Sequence, residues 1–111
     1  MKTHTTEFRA DTTTRRALHQ QLYTLMGRTV QEVRITRVRR GKGKRWVAMA
    51  IGTNGREVPL YESGLHHQAA LVLREAFPHA DWSIAQNYDV TTGILTKHAA
   101  PTPAPLRDGA P

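Results

Sequence analysis

The chain has 111 residues and no cysteine, a size that suits one domain around one core and a composition that excludes disulfides, iron–sulfur clusters, thiolate zinc sites and cysteine nucleophiles. No apolar run approaches the ~18 residues of a membrane span, and residues 1–10 lack the apolar stretch of a secretory signal, so a soluble cytoplasmic protein without membrane contact is expected. Sixteen basic against nine acidic side chains give a net charge of +7.

In chain order, residues 1–10 read as a flexible N-terminus. Asp11 and Thr12 can cap a helix over residues 12–26, where Leu18, Leu22, Leu25 and Met26 keep helical spacing and Gly27 can end it. From Thr29 the period becomes two: Val33 and Ile35 alternate with Glu32, Arg34 and Thr36, a half-buried strand running to Arg39 where Val38 breaks the alternation, as a bulge or a twist would. Residues 40–44 read as a flexible turn, and residues 45–51 as a second strand. Asn54-Gly55 suits a tight two-residue hairpin. That loop would pair Ile51 with Val58 and Met49 with Leu60, turning Val47, Met49, Ile51, Val58 and Leu60 to the core and leaving Trp46, Ala48, Ala50 and Tyr61 on the other face. Pro59 makes the third strand an edge, or leaves it unpaired at that residue.

Ser63 can cap a second helix with the stripe Leu65, Ala69, Val72, Leu73, Ala76 and Phe77, stopped by Pro78. Residues 81–86, with Trp82 and Ile84 alternating, read as a fourth strand, and residues 89–94 as a hairpin with Gly93 in a left-handed position. Residues 99–111 hold four of the six prolines and read as a disordered tail. The expected architecture is α+β: a single two-layer domain over residues 11–98 in the order αβββαββ, an antiparallel sheet with two helices on one face.

The charge is concentrated. Between Arg28 and Arg45 stand eight basic residues and one acid, Glu32, whereas the remaining basic and acidic residues balance. Such a patch suits a polyanion, with Arg34, Arg37, Arg39, Arg40, Lys42, Lys44 and Arg45 as candidate phosphate contacts and DNA favoured over RNA. Trp46 and Tyr61, with Ala48, Ala50 and Val38, make an apolar face that either packs under residues 81–97 or a second copy, or stacks on nucleic acid.

Several residues from Lys44 to Phe77, namely Trp46-Val47-Ala48, Gly55-Arg56, Leu60 and Ala69-Ala70, resemble the three-stranded-sheet-plus-helix DNA-binding domains of the ethylene-response-factor type and of tyrosine-recombinase amino-terminal domains. The resemblance implies a helix behind the sheet and the opposite face, with Arg34, Thr36, Trp46 and Tyr61, in the major groove. Met49-Ala50-Ile51 and Glu57-Val58-Pro59 stand where the plant-type pattern carries its strand-borne base readers, which points to phosphate contact rather than base reading. The order αβββα is also that of double-stranded-RNA-binding domains, but Gly64-Leu65-His66-His67 stands where that family places a lysine cluster.

His66 and His67 diverge by about 100° on a helix, and although His79 and Asp81 could complete a three-ligand site, nothing in the spacing enforces its geometry. Paired carboxylates, a nucleophile elbow and a Walker loop are absent, so neither a cofactor nor an enzymatic activity is expected. The reading is a small nucleic-acid-binding accessory protein. The alternative is an adaptor or inhibitor, homodimeric or bound to an acidic protein, that uses the face around Trp46 and Tyr61.

Overall fold

A computed structural model describes residues 7–41 and 43–98. Lys42 and the expected tail at 99–111 lie outside these residues. The elements are β1 (Glu7–Arg9), α1 (Thr12–Met26), β2 (Val30–Arg40), β3 (Gly43–Gly52), β4 (Glu57–Val58), α2 (Ser63–Ala76), β5 (Gln86–Asp89) and β6 (Ile94–Lys97). They form an α+β domain with one six-stranded antiparallel sheet in the order β1-β6-β5-β2-β3-β4.

Helix α1 has the expected limits for the expected reasons. The Asp11 carboxylate accepts the Thr14 N–H at 2.7 Å, a bond that holds the carboxyl below its usual range, and Gly27 closes the helix at φ 75° with its N–H on the Tyr23 carbonyl. The cap position of α2 is Glu62 rather than Ser63. At the other end of the chain, Gly93 adopts φ 76° in the β5–β6 turn, as expected, while the Asp89 carboxylate accepts the N–H groups of Thr91 and Thr92.

Three expectations are corrected. Residues 7–9, placed ahead of the domain by the sequence reading, are a strand: Phe8 pairs with Leu95 at the edge beyond β6. Residues 81–85 are a turn, since the Asp81 side chain accepts the Ser83 N–H and the Trp82 indole N–H donates to the Phe77 carbonyl at 2.9 Å; the strand starts at Gln86. The bulge lies between Val30 and Glu32, not at Val38. The turn expected within 40–44 does join β2 to β3, with Gly41 at φ 59°, and the ladder reaches into that stretch, pairing Arg40 with Gly43 and Arg39 with Lys44.

The register around Asn54-Gly55 carries the largest difference. Ala50 pairs with Val58 and Ile51 with Glu57, one residue away from the two-residue-loop register. Gly52 N–H donates to the Arg56 carbonyl and Gly55 N–H to the Gly52 carbonyl, so the loop has three residues, Thr53 to Gly55, with Gly55 at φ 82°. A slip of one residue puts Val58 on the face of Ala50 instead of that of Ile51. Ala48, Ala50 and Val58 are therefore buried with Val33 and Ile35, while Val47, Met49 and Ile51 stand half-buried opposite them.

The core is one cluster. Leu18 and Leu22 of α1 and Ala69, Ala70, Leu73 and Phe77 at the end of α2 join Val33, Ile35, Ala50, Tyr88 and Leu95 of the sheet. Helix α2 packs on β3 and against α1. The tilted rings of Phe77 and Tyr88, 5.6 Å between centroids, lie within favourable aromatic contact distance.

Candidate nucleic-acid interface

Strands β2 and β3 are much longer than their outer neighbours. β5 pairs with β2 only from Glu32 to Ile35, and β4 pairs with β3 only at Ala50 and Ile51. From Thr36 to the hairpin end and back to Val47, the ribbon therefore has two strands and, among the described residues, two unpaired edges. Five residues of β2, Thr36 to Arg40, give this arm a reach of roughly 17 Å. Valine, isoleucine and threonine at 33, 35, 36, 38, 47 and 51 supply its strand propensity. No aspartate or glutamate occurs from residue 33 to residue 56, against eight basic residues.

Alternation divides the candidate residues between two faces. Arg37 pairs with Trp46 and Arg39 with Lys44 on the face that continues Ile35 and Ala48, whereas Arg34, Thr36, Val38, Arg45 and Val47 belong to the opposite one. Arg34 and Trp46, expected on one groove-facing surface, are thus on opposite sides of the sheet. Arg37, Arg39, Lys44 and Arg45 are exposed. Arg40 belongs to β2 beside Gly43.

Arg34 differs from the other arginines. It is half-buried, with Nη1 3.9 Å from the Met49 sulfur and Nε enclosed without a hydrogen-bond partner among the described residues. Its cross-strand partner Asn87 donates to the Glu32 carboxylate at 3.0 Å. Arg34 therefore lies along the sheet and is less free to reach a phosphate than the four exposed side chains.

Trp46 is half-buried against the core beneath two cations: the guanidinium carbon of Arg37 is 5.4 Å and that of Arg74 5.0 Å from the ring centroid. Helix α2, rather than residues 81–97 or a second copy, thus covers the side of the sheet bearing Trp46, Ala48 and Ala50. Tyr61 stands apart, 90% exposed in the connection from β4 to α2.

Sequence reasoning missed Arg74 and the contact of His66 with the sheet. His66, Ala69, Ala70, Leu73 and Phe77 share the spacing of a buried helical stripe, a signal that places His66 against the sheet. It accepts the Ala48 N–H on Nδ1 at 3.0 Å, and its Nε2 lies 3.3 Å from the Leu60 carbonyl. Both ring nitrogens are thereby engaged. No cluster of three or more metal-ligating side chains occurs among the described residues. No known family model, curated protein or solved structure matches the chain.

Proposed function

We propose that this protein binds nucleic acid, duplex DNA in the first place, through the β2–β3 arm. One observation carries the reading: a two-stranded ribbon extends past its neighbouring strands, shows exposed cations on both faces, and has no acidic residue from 33 to 56. The major groove of B-DNA admits a two-stranded ribbon, whereas the deep, narrow major groove of an RNA duplex does not. Arg37, Arg39, Lys44 and Arg45 neutralise phosphates in this reading, with Arg40 and Lys42 at the hairpin end adding to them. Taken as two layers, with both helices behind one sheet face, the domain is the base from which the arm projects.

The ribbon has few groups suited to reading bases. Beside the cations, its side chains are Thr36, Val38, Val47 and Trp46, and Trp46 lies under Arg37 and Arg74. Binding that follows phosphate charge and is similar for all sequences is the consequence. Fluorescence anisotropy with labelled duplexes tests this. The wild-type protein should bind DNA of unrelated sequences with similar affinity, and an Arg37→Ala/Arg39→Ala/Lys44→Ala variant that melts normally should lose most of that binding. Undiminished binding by the folded triple variant would refute the role of the arm.

A further inference from the structure

Among the described residues, no strand lies beside the outer edge of β3 from Gly43 to Val47. At Ala48 the place of a neighbouring strand is taken by His66. Because the Ala48 N–H can only donate, Nδ1 is the acceptor, and Nε2 carries the proton directed at the Leu60 carbonyl. In an antiparallel ladder the N–H and C=O of one residue share a side, and successive residues alternate. With the Ala48 N–H turned outward to His66 and that of Gly52 outward to Arg56, the backbone groups of Trp46 and Lys44 also turn outward, where no strand meets them. A cleft of about 670 Å³ runs along this edge, bounded across from Lys44 and Arg45 by Tyr61, His66 and His67.

We propose that this edge docks an extended acidic peptide segment of a partner protein, added as a further strand beside β3 at residues 43–47. Three features select that occupant. The free edge offers donors and acceptors in alternation, the pattern that a peptide strand matches. A phosphate chain brings acceptors alone, leaving the Lys44 and Trp46 carbonyls unmatched. The charged side chains of the cleft's described lining are Lys44 and Arg45, with no carboxylate among them. Those same cations oppose a second copy, because antiparallel self-pairing would bring like charges face to face across the new ladder. The inference stands independently of nucleic-acid binding.

The test uses a fluorescein-labelled heptapeptide of alternating glutamate and valine, its glutamate-to-lysine counterpart, and a version N-methylated at alternate residues, in the two possible phases. Hydrogen exchange of the protein's amides accompanies anisotropy. The acidic peptide should bind and slow exchange at Lys44 and Trp46 by about tenfold or more, and the lysine peptide should not bind. One of the two N-methylated phases should fail, since it removes the donors directed at β3. On the protein side, Lys44→Ala removes one charge and should weaken binding several-fold. Lys44→Pro also removes the outward N–H at an edge position that accepts proline, and should abolish binding. Absent protection at Lys44 and Trp46, equal binding by both N-methylated phases, or stronger protection of these amides by oligothymidylate would overturn the proposal. So would a folded Lys44→Pro protein that binds like Lys44→Ala; if that variant does not fold, the N-methylated peptides decide alone.

Discussion

The guanidinium of Arg74 on α2 lies over the ring of Trp46 on β3, 5.0 Å from carbon to centroid, and so ties the helix to the root of the arm. Arg37, the cross-strand partner of Trp46, lies over the same ring at 5.4 Å. Trp46→Ala removes a half-buried aromatic packed against the core and should cost about 2 kcal/mol, below the range for fully buried tryptophans. Arg74→Ala should cost about 0.5–1 kcal/mol, the worth of a partly solvated cation–π contact. In urea denaturation the double variant should lose less than the sum of the two single losses, because both act on one contact.

Tyr88 is enclosed in the core with its hydroxyl unpartnered among the described residues. Burial pushes its ionisation up to about 12, against a smaller opposing effect from Arg15. The unfolded chain releases this proton near pH 10, before the folded protein does. The stability contributed by the neutral phenol is therefore complete below about pH 10 and is lost as pH rises toward 12. Tyr88→Phe should leave stability at pH 7 unchanged or slightly raised, since it deletes an unmatched polar group, and should flatten the alkaline decline. Melting curves from pH 8 to 11 for both proteins check this.

Gly93 combines φ 76° with the Arg15 side chain close overhead: an added Cβ would meet Arg15 Cδ at 2.8 Å. Its carbonyl also accepts the Ala10 N–H at 2.8 Å, which fixes the chain just after β1. Gly93→Ala should cost about 1–2 kcal/mol from the left-handed backbone, read by chemical denaturation, and should speed amide exchange in β1.

Thr53 is the residue that lengthens the β3–β4 loop. Its deletion leaves Asn54-Gly55 as a two-residue loop between Gly52 and Arg56, a length that suits this dipeptide, and keeps Ala50 opposite Val58 with Val58 on the buried face. The variant should therefore fold with a stability close to the parent's in chemical denaturation. A Val58→Ala substitution should cost the deletion variant and the parent alike.

The outcome of that loop shows where the sequence was legible and where it was not. Asp11, Gly27 and the leucine spacing define α1 because cap and periodicity coincide within one element, and Gly93 marks its turn because the left-handed conformation is local. Asn54-Gly55 marks a hairpin as well, but the same dipeptide serves a two-residue turn and a three-residue loop, and one residue decides whether Val58 shares a face with Ala50 or with Ile51. Ala48 and Ala50 looked like an outer shelf for the same reason; they are small because α2 crosses β3 there. The pattern of Trp82 and Ile84 imitated a strand, whereas Asp81 and the indole N–H engage local partners that make a turn. β1 was missed because three residues carry little periodicity and their partner is β6, near the far end of the chain. The basic cluster was plain from charge alone, but its division between two faces of a ribbon depended on pairing.

The central claim is tested most directly by the salt dependence of duplex DNA binding. If the arm neutralises about five phosphates, the logarithm of the binding constant should fall against the logarithm of salt concentration with a slope near −4. Arg37→Ala, Arg39→Ala and Lys44→Ala should each reduce that slope by about one unit, alike on unrelated sequences. No binding at low salt, or a slope that these folded variants leave unchanged, would contradict the account.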